Sequence, residues 1–139
     1  PQMRRLGPLV ARSLGQRGEQ LLQGAWYDPS NITPKVVEGY KQPLRVQDWD
    51  RALWELTMAG RTLDLQGRLG ELAMPVLVIT GDQDRIVPTE ESVRLAGELP
   101  NADLVVIPNC GHVPQEECPE AFLAAVSAFL SQIASVPDL

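Results

Sequence analysis

Met74-Pro75-Val76-Leu77-Val78-Ile79-Thr80-Gly81-Asp82-Gln83-Asp84-Arg85-Ile86-Val87-Pro88 is one half of the sequence that decides the fold, and Asp103-Leu104-Val105-Val106-Ile107-Pro108-Asn109-Cys110-Gly111-His112-Val113-Pro114 is the other. Val76 to Ile79 and Leu104 to Ile107 are short, β-branched and without polar alternation, the pattern of strands covered on both faces of a parallel sheet. Between them Thr89 to Leu99 reads as a helix. Thr89 can cap it, Glu90 and Glu91 sit where the helix dipole favours acids, and Pro100-Asn101 ends it. Strand, helix, strand with a right-handed crossover is a parallel pair, so the loops after both strands leave the same carboxyl edge. Asp84 and His112 are thereby expected to be neighbours at the edge where open α/β sheets collect ligands and chemistry.

The whole-chain totals narrow the function. A length of 139 residues with 44% hydrophobic and 22% charged residues suits about one soluble globular domain with a real core. The net charge of −6 gives no electrostatic support for nucleic-acid binding. No apolar run approaches the roughly 20 residues that cross a bilayer, so no membrane partner is expected. Two cysteines, Cys110 and Cys118, make no disulfide framework, which favours a soluble protein of a reducing compartment, cytoplasmic or plastid. The sequence starts at Pro1 without a leader, and the reading is of a piece of a longer protein.

Outward from the central stretch, residues 3 to 25 carry leucines among arginines and read as one or two short helices interrupted near Gly15 and Gly18. Trp26 to Asn31 is a turn or loop. Thr33-Pro34 starts a helix that ends by Pro43. Arg45 to Ala59 reads as a helix with Trp49, Leu53 and Leu56 on one ridge, Trp54 and Met58 on a second, and Gly60 as its stop. Leu63 to Leu72 is a short helix weakened by Gly67 and Gly70. Pro119 opens a terminal helix to about Ile133, with Phe122, Val126, Phe129, Leu130 and Ile133 in one stripe.

Single residues here are ambiguous. Gly81-Asp82-Gln83-Asp84 is ordinary turn chemistry, and His112 is the only histidine in the chain. An acid and then a histidine on adjacent strand ends, however, match the last two members of a Ser, Asp, His chain order. Residues 74 to 130 resemble the C-terminal part of the α/β-hydrolase superfamily. The motif Pro-x-Leu-x-Ile-x-Gly-x-x-Asp stands here as Pro75 to Asp84, and Gly-His-x-Pro-x-x-Glu-x-Pro as Gly111 to Pro119. The wording Cys-Gly-His-x-Pro-Gln-Glu-Glu is similar to that of plant and cyanobacterial members.

The resemblance implies an α/β fold: helical cap-like residues 1–65, then residues 66–139 as the C-terminal part of the core, parallel strands flanked by helices. It implies that Asp84 orients His112 and stabilises its cation, while His112 takes the nucleophile's proton and later activates water. Asp82, at the variable position of the motif, is the rival acid.

The sequence also departs from that family. No Gly-x-Ser-x-Gly elbow occurs in the 139 residues. Ala11-Arg12-Ser13-Leu14-Gly15 is the nearest text, and Ser13 lies in arginine-rich helical sequence with no strand before it. The nucleophile is therefore expected upstream, in a missing N-terminal half, and the chain alone is expected to be inactive. Cys110 is too close to His112 in one loop to share a substrate carbon with it and reads as a buried loop thiol. A metal site of Cys110, His112, Glu116 and Cys118 matches no zinc spacing, and no metal or cofactor is expected. The implied function is hydrolysis of an ester or related bond in a small molecule. The alternative is a non-catalytic small-molecule-binding or interaction module of the same fold. A nucleotide-binding domain fails for want of a Gly-x-Gly-x-x-Gly or a P-loop.

Overall fold

The strand seeded by the apolar run at Val76 extends two residues past Ile79, through Thr80 and Gly81, giving β1 (Val76–Gly81), and its partner is strand β2 (Ala102–Ile107). They pair in parallel, with Val76 opposite Ala102 and Gly81 opposite Ile107. This computed structural model describes residues 7, 9, 11–13, 17–60 and 65–135. In chain order its longer helices are α1 (Gly18–Ala25), α2 (Pro34–Lys41), α3 (Trp49–Gly60) and α4 (Thr89–Glu98), followed by the single turn α5 (Pro114–Glu117) and α6 (Pro119–Ala134). Short 3-10 turns occur at Pro29–Asn31, Gln42–Arg45 and Gln66–Glu71.

The chain divides into two units, residues 1–23 with 32–64 and residues 24–31 with 65–139. In the second, α4 packs on both strands and α6 touches both as well. Val78, Leu99, Ile107, Cys110 and Trp26 are buried there. Each large aliphatic side chain so placed stabilises by roughly 1.5–3 kcal/mol. Coverage is uneven: Leu104 and Val106 on β2 stay 36% and 39% exposed, so the expectation of strands covered on both faces holds for β1 better than for β2.

In the first unit the Thr33 hydroxyl accepts the Val36 N–H at 3.3 Å and Pro34 opens α2, the start expected from the sequence. Helix α3 begins at Trp49, four residues later than its periodicity suggested. Gln42–Arg45 winds as a 3-10 turn, and Asp48 sits at φ 57°, a left-handed conformation that short polar residues tolerate. The inward face of α3 also differs. Asp50 is buried and Trp54 half-buried, whereas Leu53 and Leu56 are 40% and 70% exposed. Gly7 lies flat against the Trp54 ring, where a Cβ would stand 2.1 Å from it.

Two other helical expectations need amendment. The described part of the Leu63–Leu72 segment is the 3-10 turn Gln66–Glu71, consistent with its glycines; residues 61–64 lie outside the described residues, as do Leu6, Val10, Leu14 and Gly15 of the first segment. The break expected near Gly18 is present: Arg17 lies in a turn, and Gly18 is the first residue of α1. On α6, Phe122, Val126, Phe129 and Ile133 form the half-buried stripe, and Leu130, a residue off that line, is 57% exposed.

Candidate active site

Because Gly81 and Ile107 are in register, the two loops leave the sheet side by side. They are zipped together past the strand ends: the Asp82 N–H donates to the Ile107 carbonyl at 2.9 Å and the Gln83 N–H to the Cys110 carbonyl at 3.0 Å. That approach requires glycine at the end of β1, since a Cβ on Gly81 would stand 2.0 Å from the Cys110 oxygen. After β2 the chain reverses at Pro108-Asn109, with Asn109 at φ 53°.

Asp84 is fully engaged. Its Oδ1 accepts the N–H groups of Ile86 and Val87, each at 2.9 Å, and its Oδ2 lies 2.8 Å from Nδ1 of His112. The Asp84 side chain is 6% exposed and that of His112 36%. A carboxylate this buried is tolerable because three donors face it. In a neutral imidazole the Nδ1 proton satisfies the carboxylate, and Nε2 keeps its lone pair for accepting a proton. The rival Asp82 makes only a long contact, its Oδ1 accepting the Cys110 N–H at 3.4 Å. The topology thus brings Asp84 and His112 together and leaves Asp82 in the turn.

Thr89 does not cap α4. Its hydroxyl instead donates to the Gly81 carbonyl at 2.7 Å, and Pro88 takes the cap position, so the whole Gly81–Thr89 loop is closed on itself. Ser13 lies exposed in a helical segment.

The sequence reading missed how the His112 loop is held from behind. The His112 N–H donates to the Ala25 carbonyl at 2.7 Å. The Glu117 carboxylate accepts the N–H groups of Gly111 at 2.7 Å, Asp28 at 2.8 Å and Tyr27 at 3.1 Å. Residues 25–28 carry no signal of this, because they contribute backbone groups that any residue has. Only the glutamate of the second motif hinted at it. The segment is itself braced: Asp28 takes the Ser30 hydroxyl at 2.6 Å and its N–H at 3.0 Å, which hold its carboxyl below the ordinary 3.8.

The cysteines are corrected too. Cys110, expected as a buried free thiol, is buried but joined to Cys118 in a disulfide, with 6.4 Å between their Cα atoms. The turn of α5 brings the two together across eight residues. The case for a reducing compartment rested on unpaired cysteines and loses that basis. Of the metal ligands weighed above, the structure gathers neither His112 nor Glu116; the two sulfurs and a Glu117 carboxylate oxygen lie within 4.8 Å of one another. Those sulfurs are bonded to each other, and the carboxylate is taken by three amide hydrogens. No described helix is long and apolar enough to cross a membrane.

The sequence profile of the Alpha/beta hydrolase family matches residues 1–125, most of the chain and both motif loops. The chain belongs to the alpha/beta hydrolase family. Among hydrolases of this family, a 2-hydroxy-6-oxononadienedioate/2-hydroxy-6-oxononatrienedioate hydrolase of Burkholderia vietnamiensis is 46% identical over 107 residues, 75% of this chain and 37% of the relative. A 2-hydroxy-6-oxo-6-phenylhexa-2,4-dienoate hydrolase of Burkholderia cepacia is 32% identical over 117 residues, 81% of this chain and 35% of the relative. The solved structure of a hydrolase of the latter name from Rhodococcus sp. strain RHA1 superposes with a TM-score of 0.68 at 27% identity, covering 94% of this chain and 49% of its own. The chain thus spans well under half the length of the curated hydrolases it matches and about half of the solved one. The fold is that of part of an α/β-hydrolase, a parallel strand pair flanked by helices.

Proposed function

We propose that this chain supplies the acid and the histidine of a nucleophile, Asp, His hydrolase that cleaves an ester or related bond of a small molecule, with the nucleophile contributed by sequence outside these 139 residues. The observation that carries the reading is the contact of 2.8 Å between His112 Nδ1 and Asp84 Oδ2, in which the acid is buried and the imidazole half-exposed. In this reading His112 Nε2 takes the proton of the nucleophilic hydroxyl as its oxygen bonds to the substrate carbonyl carbon. The resulting imidazolium gives that proton to the leaving group, and water, deprotonated by the same nitrogen, then releases the acyl group. Asp84 keeps the Nδ1 proton in place and stabilises the cation without being protonated itself. In the same reading residues 1–65 are part of a helical cap and residues 66–139 part of the hydrolase core.

The names of the relatives make 2-hydroxy-6-oxodienoates the first substrates to try. The test is turnover of 2-hydroxy-6-oxo-6-phenylhexa-2,4-dienoate and of p-nitrophenyl esters by the full-length protein. His112→Ala should cut kcat by about a thousandfold or more. A folded His112→Ala protein that retains wild-type turnover would refute the assignment.

A further inference from the structure

We propose that Glu117 is a positioning residue for His112, a role that rests on reading His112 as the general base. The carboxylate of Glu117 serves little of its own helix. Its Oε1 accepts the Asp28 N–H at 2.8 Å, and its Oε2 accepts both the Gly111 N–H at 2.7 Å and the Tyr27 N–H at 3.1 Å. Two of these donors lie 89 and 90 residues away in sequence, and the third belongs to the residue immediately before His112. One side chain therefore ties the histidine loop to the segment that follows α1.

The next peptide group is tied to the same segment, since the His112 N–H donates to the Ala25 carbonyl at 2.7 Å. The imidazole is thus held at both ends. Asp84 grips the ring through Nδ1, while Glu117 and Ala25 grip the backbone from which the ring hangs. Neither hold suffices alone, because a ring hydrogen bond persists only while the backbone keeps the ring within reach.

Gly111 fits this purpose. A Cβ there would stand 2.4 Å from the Ala25 oxygen, 2.7 Å from the Tyr27 nitrogen and 3.0 Å from Glu117 Oε2, so any side chain would pry the clamp open. The chemistry also demands a carboxylate. It offers about four acceptor positions and no donor, and its hydrogen bonds are roughly twice as strong as neutral ones. An amide has one acceptor oxygen and an NH2 group. With glutamine at 117, one of the two oxygen positions becomes a donor aimed at a backbone N–H.

The test compares Glu117→Gln, Glu117→Asp and His112→Ala in the full-length protein, with Glu120→Gln removing the same charge from the exposed start of α6. Glu117→Gln should keep the far-ultraviolet circular dichroism yet lower kcat by about a hundredfold, as a displacement near 1 Å of a catalytic group does, with KM held within about threefold. It should also lose or shift the low-field Nδ1–H proton resonance of His112, identified by its absence in His112→Ala. Glu120→Gln should match wild type. Should Glu117→Gln not fold, Glu117→Asp, which keeps the charge and withdraws it by one methylene, carries the test with the same readouts. Wild-type kcat and an unshifted resonance in a folded Glu117 variant, beside a dead His112→Ala, overturn the positioning role alone. Wild-type kcat in His112→Ala overturns the general-base reading as well.

Discussion

Asp84→Asn should inactivate the full-length protein while Asp82→Asn should not, and the structure supplies the reason atom by atom. Oδ1 of Asp84 accepts two backbone N–H groups, from Ile86 and Val87, both at 2.9 Å. An asparagine there must keep its oxygen on those donors, because the flipped amide would set an NH2 group against two N–H groups. The NH2 group consequently faces His112 Nδ1 at the 2.8 Å now spanned to Oδ2. A donor at that place makes Nδ1 the acceptor and moves the imidazole proton to Nε2, the nitrogen that accepts the nucleophile's proton in the proposed mechanism. In serine proteases the same tautomer reversal costs about ten-thousandfold in kcat. A loss of about a thousandfold or more is expected here with folding intact.

Asp82→Asn keeps an oxygen for its one contact, the Cys110 N–H at 3.4 Å, and kcat should stay within about threefold. Steady-state kinetics on both variants, with circular dichroism to confirm folding, decide the matter. Wild-type turnover in Asp84→Asn, or a larger loss in Asp82→Asn, would show that the wrong carboxylate has been named.

Three further outcomes follow from the same geometry. Gly81→Ala drives a Cβ to 2.0 Å from the Cys110 carbonyl oxygen and must displace the loop that the Gln83 N–H holds, so urea unfolding should show a loss of about 3 kcal/mol or more; less than 1 kcal/mol would mean the loops part easily. Reducing the Cys110–Cys118 disulfide removes a loop constraint across eight residues, worth about 2.5 kcal/mol on the chain-entropy estimate, and an unchanged unfolding midpoint with and without phosphine reductant would contradict it. Burial pushes the Asp50 carboxyl up, but the Arg51 N–H and the Arg12 guanidinium, 2.6 Å away, outweigh it and hold it below the ordinary 3.8. The contribution of this pair is therefore present above about pH 4 and is lost as pH falls through the depressed value. Arg12→Met should lower the unfolding midpoint at pH 7 and lower it less as the pH is brought below about 4, and an equal shift throughout would refute the pairing.

The sequence by itself determined the order of the two strands and the helix between them, and the sheet edge that carries the Asp84 and His112 loops. Two unbroken β-branched runs with a ten-residue helix between them admit a parallel pair, and a parallel pair puts the Asp84 and His112 loops together. Thr33-Pro34 and Pro119 marked their helix starts because capping and proline act within one turn of chain. Tertiary structure decided what depends on groups that every residue carries or on distances no local pattern encodes. The N–H groups of Gly111, Tyr27 and Asp28 converge on Glu117, but an amide leaves no mark in a sequence, so the clamp behind His112 was invisible. The Cys110–Cys118 bond needed the turn of α5 to bring the two Cα atoms to 6.4 Å. Thr89 has the chemistry of a cap, yet its hydroxyl went to the Gly81 carbonyl, because the loop brings that oxygen within 2.7 Å. Both α3 ridges were plausible from periodicity, and packing drew on each: Trp49 and Trp54 are half-buried beside the buried Asp50, while Leu53, Leu56 and Met58 stay exposed. Periodicity states that a helix has a buried face; only its packing partners select which.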